Sequence, residues 1–393
     1  MKVAVLGGLG LQGRAAIADL AASAGVAQIV CVDTAPGGLD RLARLVDPDR
    51  VRLVRPEGPI RAALATVMRD VDVAIDLMPL PLMREAVAAA IETRTPIVTT
   101  NYARSIADLA SAAEAAGIGV MTECGLDPGI DLVLYRRAAR QFDTVTAIDS
   151  YCGGIPEPKA RTGPLSYKVS WNFDMVLMSQ NRASVLLEDG QRVEIPAAQQ
   201  HDNRFIHEIE VAGLGTLEAV PNGDAVHYAE MLGIPGLAGT LRHAGRYTLR
   251  WPGWSAFWAP LKQLGFLSED PVSGLAGTVS PREFLGRLLG PQLQYGAAEK
   301  DLCVMRNVFR GTQGGRGKTV TSDLVIERDL ASGLFGMSIG VGGPASIVAQ
   351  MLARGEITAA GLLNPLTHVP DGPFLAELAR RGIRVADTTA WDP

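Results

Sequence analysis

Cysteine is scarce in this chain and never clustered. Its 393 residues hold four, Cys31, Cys124, Cys152 and Cys303, with no C-x-x-C spacing, so neither a zinc site nor a disulfide framework is expected. The five histidines (His201, His207, His227, His243, His368) show no metal-ligand spacing, and no metal is expected. Lys and Arg number 37 against 42 Asp and Glu, a net charge of −5 without a basic stripe, which argues against nucleic-acid and anionic-membrane partners. No uninterrupted apolar run approaches the ~20 residues that span a bilayer. The first residues already read as a core strand, leaving no room for a signal peptide. These absences together predict a soluble, reduced, cytoplasmic protein.

What is present is ample core material. Hydrophobic residues make up 47% of the chain, and its length exceeds what one core usually serves, so two domains are expected. In the first third, Ile29–Val32, Val51–Val54, Val71–Leu77, Pro96–Thr99 and Gly117–Thr122 read as buried strands. Gly38–Val46, Ile60–Met68, Leu82–Thr93 and Ser105–Ala116 read as the helices between them. That alternation predicts an α/β fold with a doubly wound parallel sheet.

Its start is the most informative stretch. Lys2–Leu6 runs into Gly7-Gly8-Leu9-Gly10-Leu11-Gln12-Gly13-Arg14, and Ile29–Val32 leads into Asp33. The pattern predicts a strand, a glycine-rich turn and a helix start that hold a dinucleotide. Gly8 would allow the tight turn, Gly10 would let backbone approach the pyrophosphate, and Gly13 would let the helix pack on the strand. An acid at Asp33 suits the two ribose hydroxyls of NAD and would face the 2′-phosphate of NADP. Thr34–Gly38 offers no cationic clamp, and Arg41 is a helical turn or two further on. NAD is therefore expected over NADP.

Past about residue 145 the texture changes. Ser184–Pro196, Glu208–Glu218, Cys303–Arg310 and Val320–Glu327 alternate as an open, largely antiparallel sheet, with turns at Asp189-Gly190 and Gly311–Gly317. Helices are expected at Phe173–Ser179, Trp254–Leu264 and Pro281–Leu289. Gly343–Arg354 reads as a helix with proline in its first turn, followed by Phe374–Arg381 and an apolar Ile383–Ala386. The predicted division is a nucleotide domain over 1–125, an inserted α+β domain over 126–338, and a segment over 339–393 that returns to the first domain. Gly311–Thr319 superficially resembles a phosphate loop, but its spacing is wrong and a strand follows it, so a hairpin turn is expected.

Three segments carry candidate chemistry. Thr99-Thr100-Asn101-Tyr102 and Met121–Asp131 end successive strands, where ligands of open α/β sheets bind. Asp127, before Pro128 and Gly129, reads either as a functional acid or as the cap of the next helix. The third, Ser150–Pro156, places Cys152 beside paired glycines, and a buried structural thiol is the plainer reading. Trp251–Trp258 holds three tryptophans, more often core or subunit interface than pocket.

Taken together, these segments resemble the saccharopine dehydrogenase (glutamate-forming) family, also called saccharopine reductase, and less closely lysine 6-dehydrogenase. The resemblance rests on Val98–Tyr102, Gly125–Asp131, Tyr151–Pro156, Tyr167–Trp171, Pro221–Asp224 and Thr248–Gly253, in that order. It implies a Rossmann domain with an inserted α+β substrate and dimerisation domain, a homodimer, and hydride transfer at a CH–NH bond of an amino acid or opine-like amine. It implies that Asp127, Cys152 and Tyr102 stand at the reacting centre and that Arg250, Ser170 and Asn222 bind substrate. For the cofactor it implies Gly8, Gly10, Leu11, Gln12, Gly13, Asp33, Leu77, Met78, Pro79, Thr100 and Gly125. Saccharopine-binding members usually carry arginine where this chain has Gly223 and serine where it has Ala225. Asp33 is similar to lysine 6-dehydrogenase, which in turn tends to lack an acid at the place of Asp127. An oxidative deaminase of that kind and a non-catalytic NAD-binding sensor are the alternatives.

Overall fold

A computed structural model describes residues 1–274 and 278–392. It divides into two compact units, 1–137 with 331–384 and 138–330 with 385–393.

In the first unit the chain begins β1 (Lys2–Leu6), α1 (Leu11–Ala22), β2 (Gln28–Val32), β3 (Val51–Val54) and α2 (Ile60–Met68). It goes on through β4 (Val73–Asp76), α3 (Leu80–Thr93), β5 (Ile97–Thr99), α4 (Ala110–Ala116), β6 (Gly119–Met121) and the start of α5 (Ile130–Ala139). Every residue of β4, β5 and β6 is buried, as strands covered on both faces require. The expected helix over Gly38–Val46 is only a short 3₁₀ turn, Gly38–Arg41. Gly37 and Gly38 both have positive φ there, and that bends the chain out of helical register.

The second unit holds β7 (Thr144–Pro156), α6 (Phe173–Ser179), the hairpin β8 (Ser184–Glu188) and β9 (Gln191–Ile195), then β10 (His207–Val211) and β11 (Gly215–Pro221). After α7 (Ala225–Glu230) and α8 (Leu237–Thr240) come β12 (His243–Arg250), α9 (Trp254–Gln263), α10 (Pro281–Leu289), β13 (Asp301–Gln313) and β14 (Arg316–Glu327). Gly314 and Gly315 make the turn between the last two, so Gly311–Thr319 is a hairpin. The aromatic run is core: Trp251, Trp254 and Trp258 are all buried, and Trp254 meets the Tyr167 ring edge-on at 5.2 Å.

The chain then returns to the first unit with α11 (Gly336–Ala353), β15 (Gly361–Leu363), α12 (Pro365–His368) and α13 (Asp371–Arg380). It ends in the second with β16 (Ala386–Trp391). The first sheet runs β15-β6-β5-β4-β1-β2-β3, all parallel. The second runs β10-β11-β12-β7-β13-β14-β16, antiparallel apart from the β12–β7 pair.

Three features depart from the expectations. Residues 126–137 belong to the first unit, because α5 opens there. The segment after 339 is divided, since β16 pairs along β14 from Lys318↔Trp391 to Asp323↔Ala386. The helix expected at Gly343–Arg354 starts seven residues earlier, with Pro344 inside it. By length and composition α11 could cross a membrane, but 78% of it is buried and it packs along α1.

Candidate functional site

The glycine turn shows why those residues are glycines, with the roles shifted by one. The left-handed residue is Gly7 (φ +77), not Gly8, and Gly7 N–H donates to the Val32 carbonyl at 2.8 Å. A Cβ on Gly7 would lie 2.7 Å from the Leu77 carbonyl oxygen, so the turn presses on the end of β4, where Leu77, Met78 and Pro79 sit. A Cβ on Gly13 would run into the Gly7 carbonyl oxygen and stand 2.6 Å from Gly8 Cα, so α1 rests directly on the turn. At Gly10, the N-cap of α1, the nearest atom to such a Cβ is Gly7 O at 3.2 Å, and its φ of −68° is ordinary. Gly10, followed by Leu11 and Gln12, thus borders open space at a helix start, a cradle that suits a phosphate.

Asp33 follows β2 and accepts from Leu9 N–H at 2.8 Å through one oxygen and from Ala35 N–H at 2.7 Å through the other. The acid therefore ties the glycine turn to its own loop as well as presenting a carboxylate beside it. One cation lies on the helix that opens at this turn and another on the loop after Asp33. Arg14 is on the first turn of α1, and Arg41, ending the 3₁₀ turn, folds back toward Gly37.

At the ends of β4, β5 and β6 the loops are tied together. Cys124 N–H donates to Thr99 O, Glu123 N–H to Asn101 O, and a Cβ on Gly125 would lie 3.5 Å from the Thr100 side chain. Tyr102 is half-buried, with the Arg104 guanidinium 5.4 Å from its ring centre. Gly125 N–H donates to Pro128 O, closing a tight loop that holds Asp127 half-buried at its turn. The helix begins at Ile130, and the acid serving its start is Asp131, which accepts from Gly129 N–H at 2.7 Å. Asp127 lies three residues ahead of Ile130.

Sequence reading missed two buried acids here. Asp76 is fully buried and accepts from Met78 N–H at 3.1 Å and from the Thr99 hydroxyl at 2.9 Å. Burial pushes its carboxyl up to about 6, against the downward pull of the bonds from Thr99, Met78 and Asn101. Burial likewise pushes Asp131 up to about 7, against the bonds from Gly129 and Leu132, with the Glu123 charge adding to the rise. An acid closing the apolar run Val73-Ala74-Ile75-Asp76 was the available signal.

In the second unit Cys152 is buried within β7, facing Thr248 of β12 and Met305 of β13 in register. Arg250 ends β12 only 3% exposed, lying 5.0 Å from the Trp254 ring and 5.3 Å from Tyr167. Its guanidinium donates to the carbonyl of its own neighbour, Leu249 O, at 2.7 Å, and its Nε is buried without a partner. The cross-strand residue is Glu218, but that carboxylate accepts from Gly253 and Ser255 N–H, capping α9. No carboxylate among the described residues pairs with Arg250. Burial lowers its pKa, an effect opposed by Tyr167, Cys152 and Tyr295. Ser170 Oγ is likewise buried and unpartnered. Asn222 accepts from Arg182 at 3.4 Å, and the same guanidinium lies 3.7 Å from where a Gly223 side chain would begin. The space an arginine at 223 would fill is thus bordered by Arg182. Among the described residues no three His, Cys, Asp or Glu side chains are grouped to hold a metal.

Two family models match, the saccharopine dehydrogenase NADP binding domain over residues 3–121 and the saccharopine dehydrogenase C-terminal domain over 125–383. The chain belongs to the saccharopine dehydrogenase family. The mouse (Mus musculus) mitochondrial alpha-aminoadipic semialdehyde synthase is 30% identical over 389 residues, covering 83% of this chain and 41% of that protein. This chain thus spans less than half of that relative. Saccharopine dehydrogenase [NADP(+), L-glutamate-forming] of Saccharomyces cerevisiae is 25% identical over 396 residues, 84% of this chain and 86% of the yeast protein. In fold, apo saccharopine dehydrogenase (L-Glu forming) from S. cerevisiae is similar at a TM-score of 0.86 and 24% identity, over 99% of each chain. Homospermidine synthase from Legionella pneumophila shares the fold at a TM-score of 0.68 and 9% identity, over 99% of this chain and 91% of that one. The first model lies within the first unit, whereas the C-terminal model takes in residues 125–137 and 331–383 of that unit as well as most of the second.

Proposed function

We propose that this family member is a dinucleotide-dependent oxidoreductase acting on the CH–NH bond of an amino acid or opine-like secondary amine. The observation that carries the substrate class is Arg250. A buried guanidinium without a counter-charge costs several kcal/mol, and a bound carboxylate would relieve that cost with bidentate hydrogen bonds. Ser170 Oγ is a second buried group without a partner, and Asn222 lies in the same unit.

When bound, nicotinamide would accept or return a hydride at the carbon bearing nitrogen. The chain's own groups would do the rest. Asp127, held by its closed loop, would bind the substrate ammonium or take its proton as the C=N bond forms. Tyr102 and Cys152 would shape the reacting centre. Water would then add to the imine carbon and the C–N bond would break, leaving a carbonyl and an amine.

For the cofactor, the family model and the yeast relative are described with NADP, whereas Asp33 supports NAD here. A carboxylate about 4 Å from a 2′-phosphate costs roughly 1 kcal/mol per charge pair even in water. Leu77, Met78, Pro79, Thr100 and Gly125 would line the nicotinamide end.

Purified protein incubated with NAD or NADP and a panel of amino acids and opines, followed at 340 nm, tests the reading. Turnover of a carboxylate-bearing amine is expected, faster with NAD. Tight dinucleotide binding without turnover of any amine would refute the enzyme and favour a redox sensor.

A further inference from the structure

Asp76 is a buried acid that the chemistry proposed above leaves unused. It closes β4, and its register neighbours are Leu6 on β1 and Thr99 on β5. One carboxylate oxygen accepts from Met78 N–H and the other from the Thr99 hydroxyl, and Thr99 Oγ in turn accepts from Asn101 N–H at 3.2 Å. The groups that act on its ionisation, Thr99, Met78 and Asn101, are all neutral.

The elements packed against Asp76 bring no cation to it. α11, which lies along β4, has no Asp, Glu, Lys or Arg among its 18 residues. On β1 the charged residue is Lys2, at the far end of the strand and bonded to Asp70. α3 carries Arg84, Glu85 and Glu92, of which Arg84 pairs with Asp108 and Glu92 with Arg69. After β5 the first charged side chain is Arg104, set over the Tyr102 ring. An acid buried without a counter-charge keeps its proton until something positive arrives. Burial pushes this one up to about 6.

Its place in the sheet gives that state a use. Strand ends of an open parallel sheet face the ligand crevice. Asp76 is flanked there by Leu77–Pro79 on its own strand end and by Thr99 and Thr100 on the next. Leu77–Pro79 and Thr100 are the residues proposed above for the nicotinamide end. The oxidised nicotinamide ring carries a positive charge and the reduced ring none. In a protein setting a unit charge even about 10 Å away alters the ionisation of a carboxyl about tenfold.

We propose that Asp76 discriminates the redox state of the bound nicotinamide: its ionised form favours the oxidised, cationic ring, and its protonated form favours the reduced, neutral one. Binding of the oxidised cofactor drives a proton from Asp76 to solvent, whereas the reduced cofactor leaves it in place. The effect acts through the electric field and needs no contact with the ring. It rests on the dinucleotide-binding part of the function proposed above, and not on any amine being turned over.

The test is calorimetric titration of the full chain, wild type and Asp76→Asn, from about pH 5 to about pH 8. The probes are the oxidised and reduced forms of NAD and of NADP, with ADP-ribose as the control that lacks nicotinamide. Two buffers of different ionisation enthalpy count the protons released on binding. The 2′-phosphate of NADP titrates alike in both redox forms, so the difference between the forms is what is read. In wild type the oxidised form should bind about tenfold more tightly at the upper end of the range than at the lower, relative to the reduced form, with a proton released near pH 6. ADP-ribose should show no such release. Asp76→Asn should abolish the difference; its amide still accepts from Met78 N–H, and the wild-type comparison carries the test even if the variant folds poorly. The same pH dependence for oxidised and reduced forms overturns the proposal, as does a difference that survives in the variant, which would belong to another acid such as Asp131. Binding of no dinucleotide overturns the dinucleotide reading and the proposal with it, whereas binding without the difference overturns the proposal alone.

Discussion

Gly13 and Gly10 belong to one motif, yet the structure separates them sharply. At Gly13 the three nearest atoms that a methyl would meet are all backbone: the Gly7 carbonyl oxygen, Gly8 Cα at 2.6 Å and Gly8 carbonyl carbon at 2.8 Å. No rotamer can yield, so Gly13→Ala must push α1 off the turn. Overpacking of this kind costs about 1–3 kcal/mol, and with only backbone to move the upper end applies. A domain of this size loses about 2–4 °C per kcal/mol, so the melting temperature should fall by roughly 6–12 °C. At Gly10 the backbone is already in a region alanine accepts, and the closest atom is 3.2 Å away. Replacing an N-cap glycine by alanine there should cost less than about 1 kcal/mol. Its methyl would instead stand in the space left for the phosphate, and affinity should drop about tenfold, equivalent to about 1.4 kcal/mol. Scanning calorimetry of the full chain and titration with NADH read the two effects separately. A Gly13→Ala protein melting with wild type, or a Gly10→Ala protein binding NADH unchanged, would refute the steric account of this turn.

Asp33→Ala should narrow the preference for NAD by strengthening NADP binding. It should also weaken NAD, because Leu9 and Ala35 lose their acceptor; equal use of both cofactors by the unmodified protein would sink the assignment. Asp127→Asn should keep dinucleotide affinity and melting temperature while lowering turnover at least about tenfold, since an amide neither pairs with an ammonium nor takes its proton. Unchanged turnover at saturating amine would remove Asp127 from the mechanism. Asp76 lies at about 6 in the folded chain against an ordinary 3.8, so the folded state holds its proton more tightly. Its contribution to stability is fully present below about pH 4 and is lost as pH rises to about 6, a fall of roughly 3 kcal/mol at about 1.4 kcal/mol per pKa unit. Asp76→Asn should flatten denaturant-measured stability across that window, with Asp131 supplying the slope that remains; an unaltered pH profile would show that Asp76 is not the titrating group.

Local periodicity and spacing were enough for the parallel sheet, the dinucleotide turn and most helices, because each is encoded by neighbours within one turn or one strand. The run Ile60–Met68 reads as a helix and is one, and Asp189-Gly190 reads as a turn and joins β8 to β9. The resemblance over Thr248–Gly253 picked out Arg250 as a substrate ligand, but nothing local shows what else its charge would meet. Only the tertiary structure turned Glu218 toward α9 and left the guanidinium buried without an acid. The same holds for β16, whose six residues are all exposed, so no alternation marks it as a strand; its partner, β14, lies far earlier in the chain. Pro344 reads as a helix start because proline suits a first turn, yet α11 continues through it, where burial against α1 outweighs the missing hydrogen bond. The loop after β2 belongs here too: two left-handed glycines, Gly37 and Gly38, and the bonds of Asp33 set its course. Sequence thus determined what each segment can be, through short-range sterics and burial pattern. Charge pairing, strand partnership and loop reversal depend on groups far apart in the chain, and only the folded structure brings those together.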